Sequence, residues 1–127
     1  MTTESQLVFA QLEQALQRLE EMANLPIHEH RAEIDSTIHR FEFTFELFWK
    51  FLKKKLHDDY DIEVHGPRSV LQQAYMHKII NEEKIWLAML EDRNMTSHTY
   101  KQALADQIYE NIKKYVPFLK QELKNCR

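Results

Sequence analysis

The sequence predicts an all-α fold: an up-and-down four-helix bundle with one short extra helix in the crossover between the second and third long helices. Four segments repeat apolar residues at spacings of three and four, which is typical of helices that bury one face. One glycine and three prolines leave few sites for tight turns, which disfavours a hairpin-rich β fold. The 127 residues suffice for one domain, residues 1–127, whose core needs no disulfide or metal.

The first two helices are predicted from their apolar stripes. The first runs from Glu4 to Ala23, and Pro26 ends it because proline has no amide hydrogen to donate. The second, about Arg31 to His57, carries a long stripe that is typical of a bundle core, formed by Ile34, Ile38, Phe41, Phe45, Phe48, Leu52 and Leu56.

Phe43 and Leu47 fall on the side of the second helix opposite that stripe. Two explanations remain open. Either a short helix or loop of the same chain covers them, or they form a subunit interface, since a helix that is apolar on two sides usually has two neighbours. The second explanation implies a homodimer.

Four lysines lie near the end of the second helix: Lys50, Lys53, Lys54 and Lys55. Lysines at a helix C-terminus are favoured by the helix dipole, and this explanation is preferred to a nucleic-acid patch. The net charge of −3 shows no broad electrostatic footprint for nucleic acid, so any RNA contact has to be local.

Turn and cap residues divide the second half of the chain. The strongest turn signal is the glycine–proline pair at 66–67, and a short helix is predicted from Pro67 to about Lys78. Asn81 is predicted to cap the third long helix, which fades near Arg93 or Asn94.

The last helix is predicted to begin at Thr99, which forms a capping box with Gln102. Pro117 falls inside this helix and is expected to bend it or loosen one turn. The apolar stripe comprises Leu104, Ile108, Ile112, Tyr115, Leu119 and Leu123.

A few residues bear on compartment and metal content. Cys126 is the only cysteine, so no internal disulfide forms, which fits a cytoplasmic protein. Met1 to Ala10 show no secretory signal, and no apolar run approaches the roughly 18 residues of a membrane span. His28 and His30 form a His-x-His pair, but solvated loop histidines are preferred to a metal site because no third ligand is near. We expect no metal, no cofactor and no membrane association.

The stretch from 93 to 100 concentrates reactive side chains at the junction of two helices, and two interpretations compete. In the first, each residue has a structural role. Arg93 pairs with Glu91, Asp92 or a backbone carbonyl, and Thr96 and Ser97 are loop hydroxyls. Thr99 caps the next helix, and the rings of His98 and Tyr100 are half-buried.

In the second interpretation, the same stretch is a phosphodiester site. Cleavage through an RNA 2′-hydroxyl requires loss of its proton, which a neutral His98 accepts. Arg93 neutralises charge on the phosphate oxygens with paired donors, and Asn94, Thr96 or Ser97 orients the phosphate or the attacking group. Since the reaction needs both an acid and a base, a dimer that brings two histidines together is chemically sensible.

Arg93 to His98 fits the Arg-x4-His motif of the HEPN superfamily, with an asparagine after the arginine, and Tyr100 completes the extended form Arg-x4-His-x-Tyr. The chain also resembles the HEPN branch of nucleotidyltransferase substrate-binding proteins at residues 41–50 (FEFTFELFWK), 66–71 (GPRSVL) and 86–94 (WLAMLEDRN). The resemblance spans nearly the whole chain.

This resemblance implies a helical homodimer in which the Arg/His motifs of both subunits face a shared cleft. It implies a metal-independent RNase toxin whose antitoxin, a minimal nucleotidyltransferase encoded nearby, can adenylylate Tyr100. An older interpretation of the branch implies a noncatalytic subunit that binds substrate for the nucleotidyltransferase. The chain lacks the Gly-Ser and paired-Asp pattern of the transferase itself. RNA or a nucleotide is the implied ligand.

Overall fold

The computed structural model describes residues 4–27 and 31–126. None of these residues is in a β-strand, so the all-α prediction is confirmed. The helices are α1 (Glu4–Ala23), α2 (Ala32–Tyr60), α3 (Pro67–Met76), α4 (Glu83–Met95), a short 3-10 helix (Thr96–His98) and α5 (Gln102–Asn125). Within the described part of the chain, no helix is long and apolar enough to cross a bilayer. His28 and His30 lie outside the described residues.

The long helices alternate in direction, as the predicted bundle requires. Lys54, late in α2, forms an ion pair of 3.1 Å with Glu4 at the start of α1, so these two helices are antiparallel. Trp86, early in α4, packs edge-on against Phe118 late in α5, with ring centroids 5.9 Å apart. The short helix α3 packs against α2 and α4, in the crossover where the sequence predicts it.

The predicted stripe of α2 forms the centre of the core. Its seven apolar residues are all buried, and Phe41, Phe45 and Phe48 are fully enclosed. Phe48 meets Trp86 of α4 edge-on with a centroid separation of 4.8 Å. Burying one such side chain contributes about 1.5–3 kcal/mol, so this stripe is a large part of the hydrophobic driving force.

A buried carboxylate connects α5 to the start of α4. Glu122 is 1% exposed and accepts hydrogen bonds from the Asn81 amide at 2.7 Å, the Asn81 side chain at 3.2 Å and the Trp86 indole at 3.0 Å. The prediction that Asn81 caps α4 is therefore wrong. Its polar groups are bound by Glu122, and the cap position falls on Glu82, which makes no capping hydrogen bond with its side chain.

The other helix boundaries differ from the sequence prediction by a few residues. α2 continues past the predicted His57 and ends at Tyr60. It ends there because Asp61 adopts the left-handed conformation, which lets the Ile62 amide donate to the Leu56 carbonyl, a common way of ending a helix. α3 ends at Met76, before the predicted Lys78.

Of the two terminal helices, α1 matches its predicted extent, whereas α5 begins at Gln102 and not at Thr99. α1 spans Glu4–Ala23 as predicted. The predicted stripe of α5 is buried or partly buried, and the helix runs unbroken through Pro117, which lies at an exposed position.

The two apolar residues on the outer side of α2 have different environments. Leu47 is half-buried and packs against the hydrophobic core of the bundle. Phe43 remains 59% exposed, and the expectation that the short helix or a loop covers it is wrong for the described residues. An exposed phenylalanine on the central helix leaves the subunit-interface explanation standing as a proposal.

Candidate functional site

The residues of the Arg-x4-His-x-Tyr motif emerge together at the end of α4. Arg93 and Asn94 lie in the last turn of that helix, which continues to Met95. The 3-10 helix then carries the chain through His98, and Tyr100 precedes the first turn of α5. A tight helical turn thus connects the arginine to the histidine, in place of the loop that was predicted for Thr96 and Ser97.

Arg93 is held by a residue of α2. Its Nη2 donates to Glu46 Oε2 at 2.9 Å, and the two side chains are 36% and 32% exposed. Its Nη1 makes a longer contact of 3.5 Å with the Asn94 side-chain oxygen. The expectation of a local partner, Glu91 or Asp92, is wrong. The ion pair fixes the motif arginine against the central helix of the bundle.

The carboxylate of Glu46 is itself surrounded by donors. The Trp49 indole donates to Oε2 at 3.0 Å, and Lys50 Nζ lies 3.4 Å from Oε1. Burial raises the pKa of Glu46, but the hydrogen bond from Trp49 and the positive charges of Arg93 and Lys50 outweigh it and leave the pKa below its ordinary value. The carboxylate therefore stays ionised and keeps its hold on Arg93 under ordinary conditions.

Glu46 is the site residue that sequence reasoning missed. Asp92 is nearer to Arg93 in the chain, but its Oδ2 accepts the Tyr115 hydroxyl at 2.6 Å and the Asn111 amide at 3.0 Å. Burial, with the hydrogen bond to Asp92, raises the pKa of Tyr115 well above its usual range, so the tyrosine remains a donor. The only sequence signal for Glu46 was an acidic residue within an aromatic run, which does not name its partner.

Two threonines shape the turn between Arg93 and His98. The buried Thr96 hydroxyl donates to the Arg93 carbonyl at 2.7 Å, and the Thr99 hydroxyl donates to the Thr96 carbonyl at 3.0 Å. The predicted capping box of Thr99 and Gln102 is therefore wrong. Thr99 closes the 3-10 turn, and α5 begins after Lys101 without a side-chain cap.

The reactive side chains of the motif face solvent. Asn94, Ser97 and His98 are exposed, and Tyr100 is 77% exposed. The rings of His98 and Tyr100 lie edge to face with centroids 6.2 Å apart. The expectation that these rings are half-buried is wrong, and both are accessible to a ligand or to another enzyme.

No three His, Cys, Asp or Glu side chains across residues 4–27 and 31–126 are grouped closely enough to hold a metal ion. The polar groups of the motif are instead a guanidinium, an amide, hydroxyls and an imidazole. Such groups suit an anionic ligand such as a phosphate.

The sequence matches the family described as "Nucleotidyltransferase substrate binding protein like" over residues 7–127. The chain belongs to this family. The predicted membership in the nucleotidyltransferase substrate-binding branch is thereby confirmed, and the region matched includes all of the elements that position the motif.

Relatives of known structure share the family's fold. A protein from Thermus thermophilus is 34% identical with a TM-score of 0.84, over 91% of this chain and 98% of that one. A Haemophilus influenzae protein is 28% identical with a TM-score of 0.68, over 96% of this chain and 93% of that one. Its structure is described as revealing the fold of a substrate-binding domain of a nucleotidyltransferase.

A curated relative carries the name "Probable ribonuclease HepT" and also comes from Haemophilus influenzae. It is 36% identical over 83 residues, which amount to 62% of this chain. The match spans 57% of the relative's own length.

The ion pair between Glu46 and Arg93 predicts a pH-dependent contribution to stability. Because the pKa of folded Glu46 lies below the ordinary value of 4.5, the contribution is present above that value and is lost as the pH falls through the folded pKa. Glu46→Gln should lower the free energy of unfolding by up to about 1 kcal/mol at neutral pH, with a smaller difference at an acidic pH below 4.5.

Urea denaturation followed by helical circular dichroism at both pH values measures this difference. Glu42→Gln is the matched control, since Glu42 lies on the same helix and makes no ion pair with any described residue. A Glu46→Gln effect that is equal at both pH values would contradict the assignment.

Proposed function

We propose that this chain is the ribonuclease subunit of a two-gene pair whose other member is a minimal nucleotidyltransferase acting as its antitoxin. The observation that carries the proposal is the placement of the motif. Arg93 is fixed to Glu46 at 2.9 Å, while Asn94, His98 and Tyr100 are exposed beside it at one helix end. A held cation next to an accessible imidazole fits phosphodiester chemistry.

The reaction proceeds through the RNA 2′-hydroxyl. His98 of one subunit takes its proton as the 2′-oxygen attacks the adjacent phosphorus, and the P–O5′ bond breaks. An acid then protonates the departing 5′-oxygen, which leaves a 2′,3′-cyclic phosphate on one product and a 5′-hydroxyl on the other. Arg93 and Asn94 stabilise the charge on the phosphate oxygens, with the exposed Ser97 hydroxyl beside them. The buried Thr96 supports them by bonding the Arg93 carbonyl within the turn. The residues supply acid, base and cation, so the proposed reaction needs no metal.

A homodimer supplies the second histidine. Phe43 is 59% exposed and lies one helical turn from Glu46, the residue that binds Arg93. The proposed interface buries Phe43, with Leu47 at its edge, and places the two Arg93 side chains and the two His98 side chains at a shared cleft. One imidazole then acts as base while the other acts as acid.

Tyr100 is the proposed point of control. Its ring is 77% exposed, so a partner enzyme has free access to the hydroxyl. Transfer of AMP from ATP forms a bond from the tyrosine oxygen to phosphorus and releases pyrophosphate. The added group places negative charge two residues from His98, where it repels RNA and blocks the site.

The second candidate is a noncatalytic subunit that presents a nucleotide substrate to the nucleotidyltransferase. Two observations favour it: the net charge of −3, and the description of the Haemophilus influenzae structure as a substrate-binding domain. The curated relative named as a ribonuclease supports the first candidate.

An RNA-cleavage assay separates the two candidates. Arg93→Ala and His98→Ala should each lower the cleavage rate by at least about 100-fold, because each removes charge stabilisation or proton transfer from the transition state. His65→Ala, which removes an exposed histidine far from the motif in the chain, is the control and should cleave as the wild type does.

The assay is run with and without EDTA, and the products are analysed for a 2′,3′-cyclic phosphate. Inactivity of the wild type on varied RNAs, whether or not a metal is present, would overturn the ribonuclease proposal and favour the substrate-binding subunit.

Coexpression with the partner tests the role of Tyr100. Mass spectrometry should find added AMP on the peptide that contains Tyr100, and Tyr100→Phe should abolish it because no hydroxyl remains. Tyr75, which is 44% exposed on α3, is the control and should stay unmodified. AMP found only on other peptides would remove Tyr100 from this role.

The oligomeric state tests the interface. Phe43→Glu should shift the protein from dimer towards monomer in light scattering, since a buried charge opposes association. Met76→Glu makes the same change at a 68% exposed position on α3 and should leave the mass unchanged. A dimer that is unaffected by Phe43→Glu would show that the contact lies elsewhere.

A further inference from the structure

The lysines late in α2 divide into two groups in the structure. Lys54 is bound to Glu4 at 3.1 Å and to Asp58 at 3.7 Å, and Lys55 is bound to Asp59 at 3.1 Å. Lys53 makes no ion pair or hydrogen bond with any residue that the structure describes. The ion pairs explain Lys54 and Lys55, whereas Lys53 needs another explanation.

The helix dipole does not explain the position of Lys53, nor that of Lys50. α2 continues to Tyr60, so Lys50 and Lys53 lie well before the last turn, outside the short range over which a helix C-terminus attracts cations. The predicted end of α2 at His57 placed the four lysines nearer to the helix terminus than they are in the structure. The structure removes that explanation for these two.

Lys50 and Lys53 continue the positive face that begins at Arg93. Glu46 binds Arg93 through Oε2 and Lys50 through Oε1, so both cations flank one carboxylate. Lys53 follows Lys50 by one turn on the same side of α2. At 1.5 Å per residue, the helix covers about 10 Å between positions 46 and 53.

Beyond Lys50 this face opens into a cleft of about 220 Å³ between α2 and the segment that follows it. Its basic side is formed by Lys50, Lys53, Lys54 and His57, and the opposite side by Ile62, Glu63 and Val64. Lys50 is 57% exposed and His57 59% exposed, whereas Lys53 and Lys54 are half-buried, so the basic side is partly open to solvent. Glu63 is the one acidic side chain lining the cleft.

We propose that single-stranded RNA held at Arg93 and His98 continues along this face of α2, with Lys50 and Lys53 contacting its backbone phosphates. The inference rests on the proposed ribonuclease function and adds to it a substrate that extends beyond the cleaved bond. A groove with cations along one side tracks a polyanionic backbone independently of sequence. It also explains how a chain of net charge −3 binds RNA, because the positive charge is concentrated on one face.

The test uses a fluorescein-labelled single-stranded RNA with 2′-O-methyl groups, which binds but cannot be cleaved, and measures affinity by fluorescence anisotropy over a range of salt concentrations. Lys53→Gln should weaken binding about fivefold to tenfold at low salt and reduce the slope of log K against log salt by about 0.7, the loss of one phosphate contact. Lys53→Arg should restore both values.

Lys55→Gln is the matched control because it removes the same charge from the same helix at a residue paired with Asp59. Thermal unfolding of each variant checks that the fold is retained. If the wild type binds the RNA and both glutamine variants weaken it equally, the proposed path is wrong while the ribonuclease function stands.

If the wild type neither binds this RNA nor cleaves unmodified RNA, both proposals fall. Binding without cleavage, with the expected loss in Lys53→Gln, would support the path and overturn the catalytic role alone.

Discussion

The buried aromatic stripe of α2 is the constraint on which the rest of the structure depends. α2 packs against α1, α3, α4 and α5, so each of the other long helices takes its position from this one. Phe41, Phe45 and Phe48 are fully buried, which fixes the rotation of α2 about its axis. Because the inward face of α2 is fixed, its outward face, which carries Glu46 and Lys50, is fixed as well.

Two carboxylates from neighbouring helices hold the two ends of α4. Glu122 of α5 binds Asn81 and Trp86 at the beginning, and Glu46 of α2 binds Arg93 at the end. The first is 1% exposed, and its loss would leave buried donors unsatisfied, which costs about 1–3 kcal/mol for each group. The second is partly exposed and contributes less to stability, but it determines where the guanidinium lies.

The long-range pattern of the fold could be predicted from the sequence, because helical periodicity records which face of each helix is buried. The stripes of α2 and α5 and the turn at Gly66 needed no knowledge of neighbours. The helix caps could not be predicted in the same way. Asn81 and Thr99 are good capping residues locally, but Glu122 binds the first and the second closes a 3-10 turn.

The site was predictable to the same extent. The motif residues are neighbours in the chain, so the sequence places Arg93, Asn94, His98 and Tyr100 together without any tertiary information. The partner of Arg93 was not predictable, because the local acid Asp92 is bound to Tyr115 and Asn111 across the bundle. Competition among tertiary partners decided both the caps and the ion pair.

The shared carboxylate of Glu46 has a consequence for selectivity between the ground state and the transition state. Under the proposed function, a phosphate that approaches Arg93 competes with an anion already in place at 2.9 Å. A diester with a single charge gains little from that exchange, whereas the phosphorane formed during cleavage carries more charge and gains more. An occupied arginine thus weakens binding of intact RNA and reserves its strongest interaction for the transition state, the condition under which binding energy accelerates a reaction.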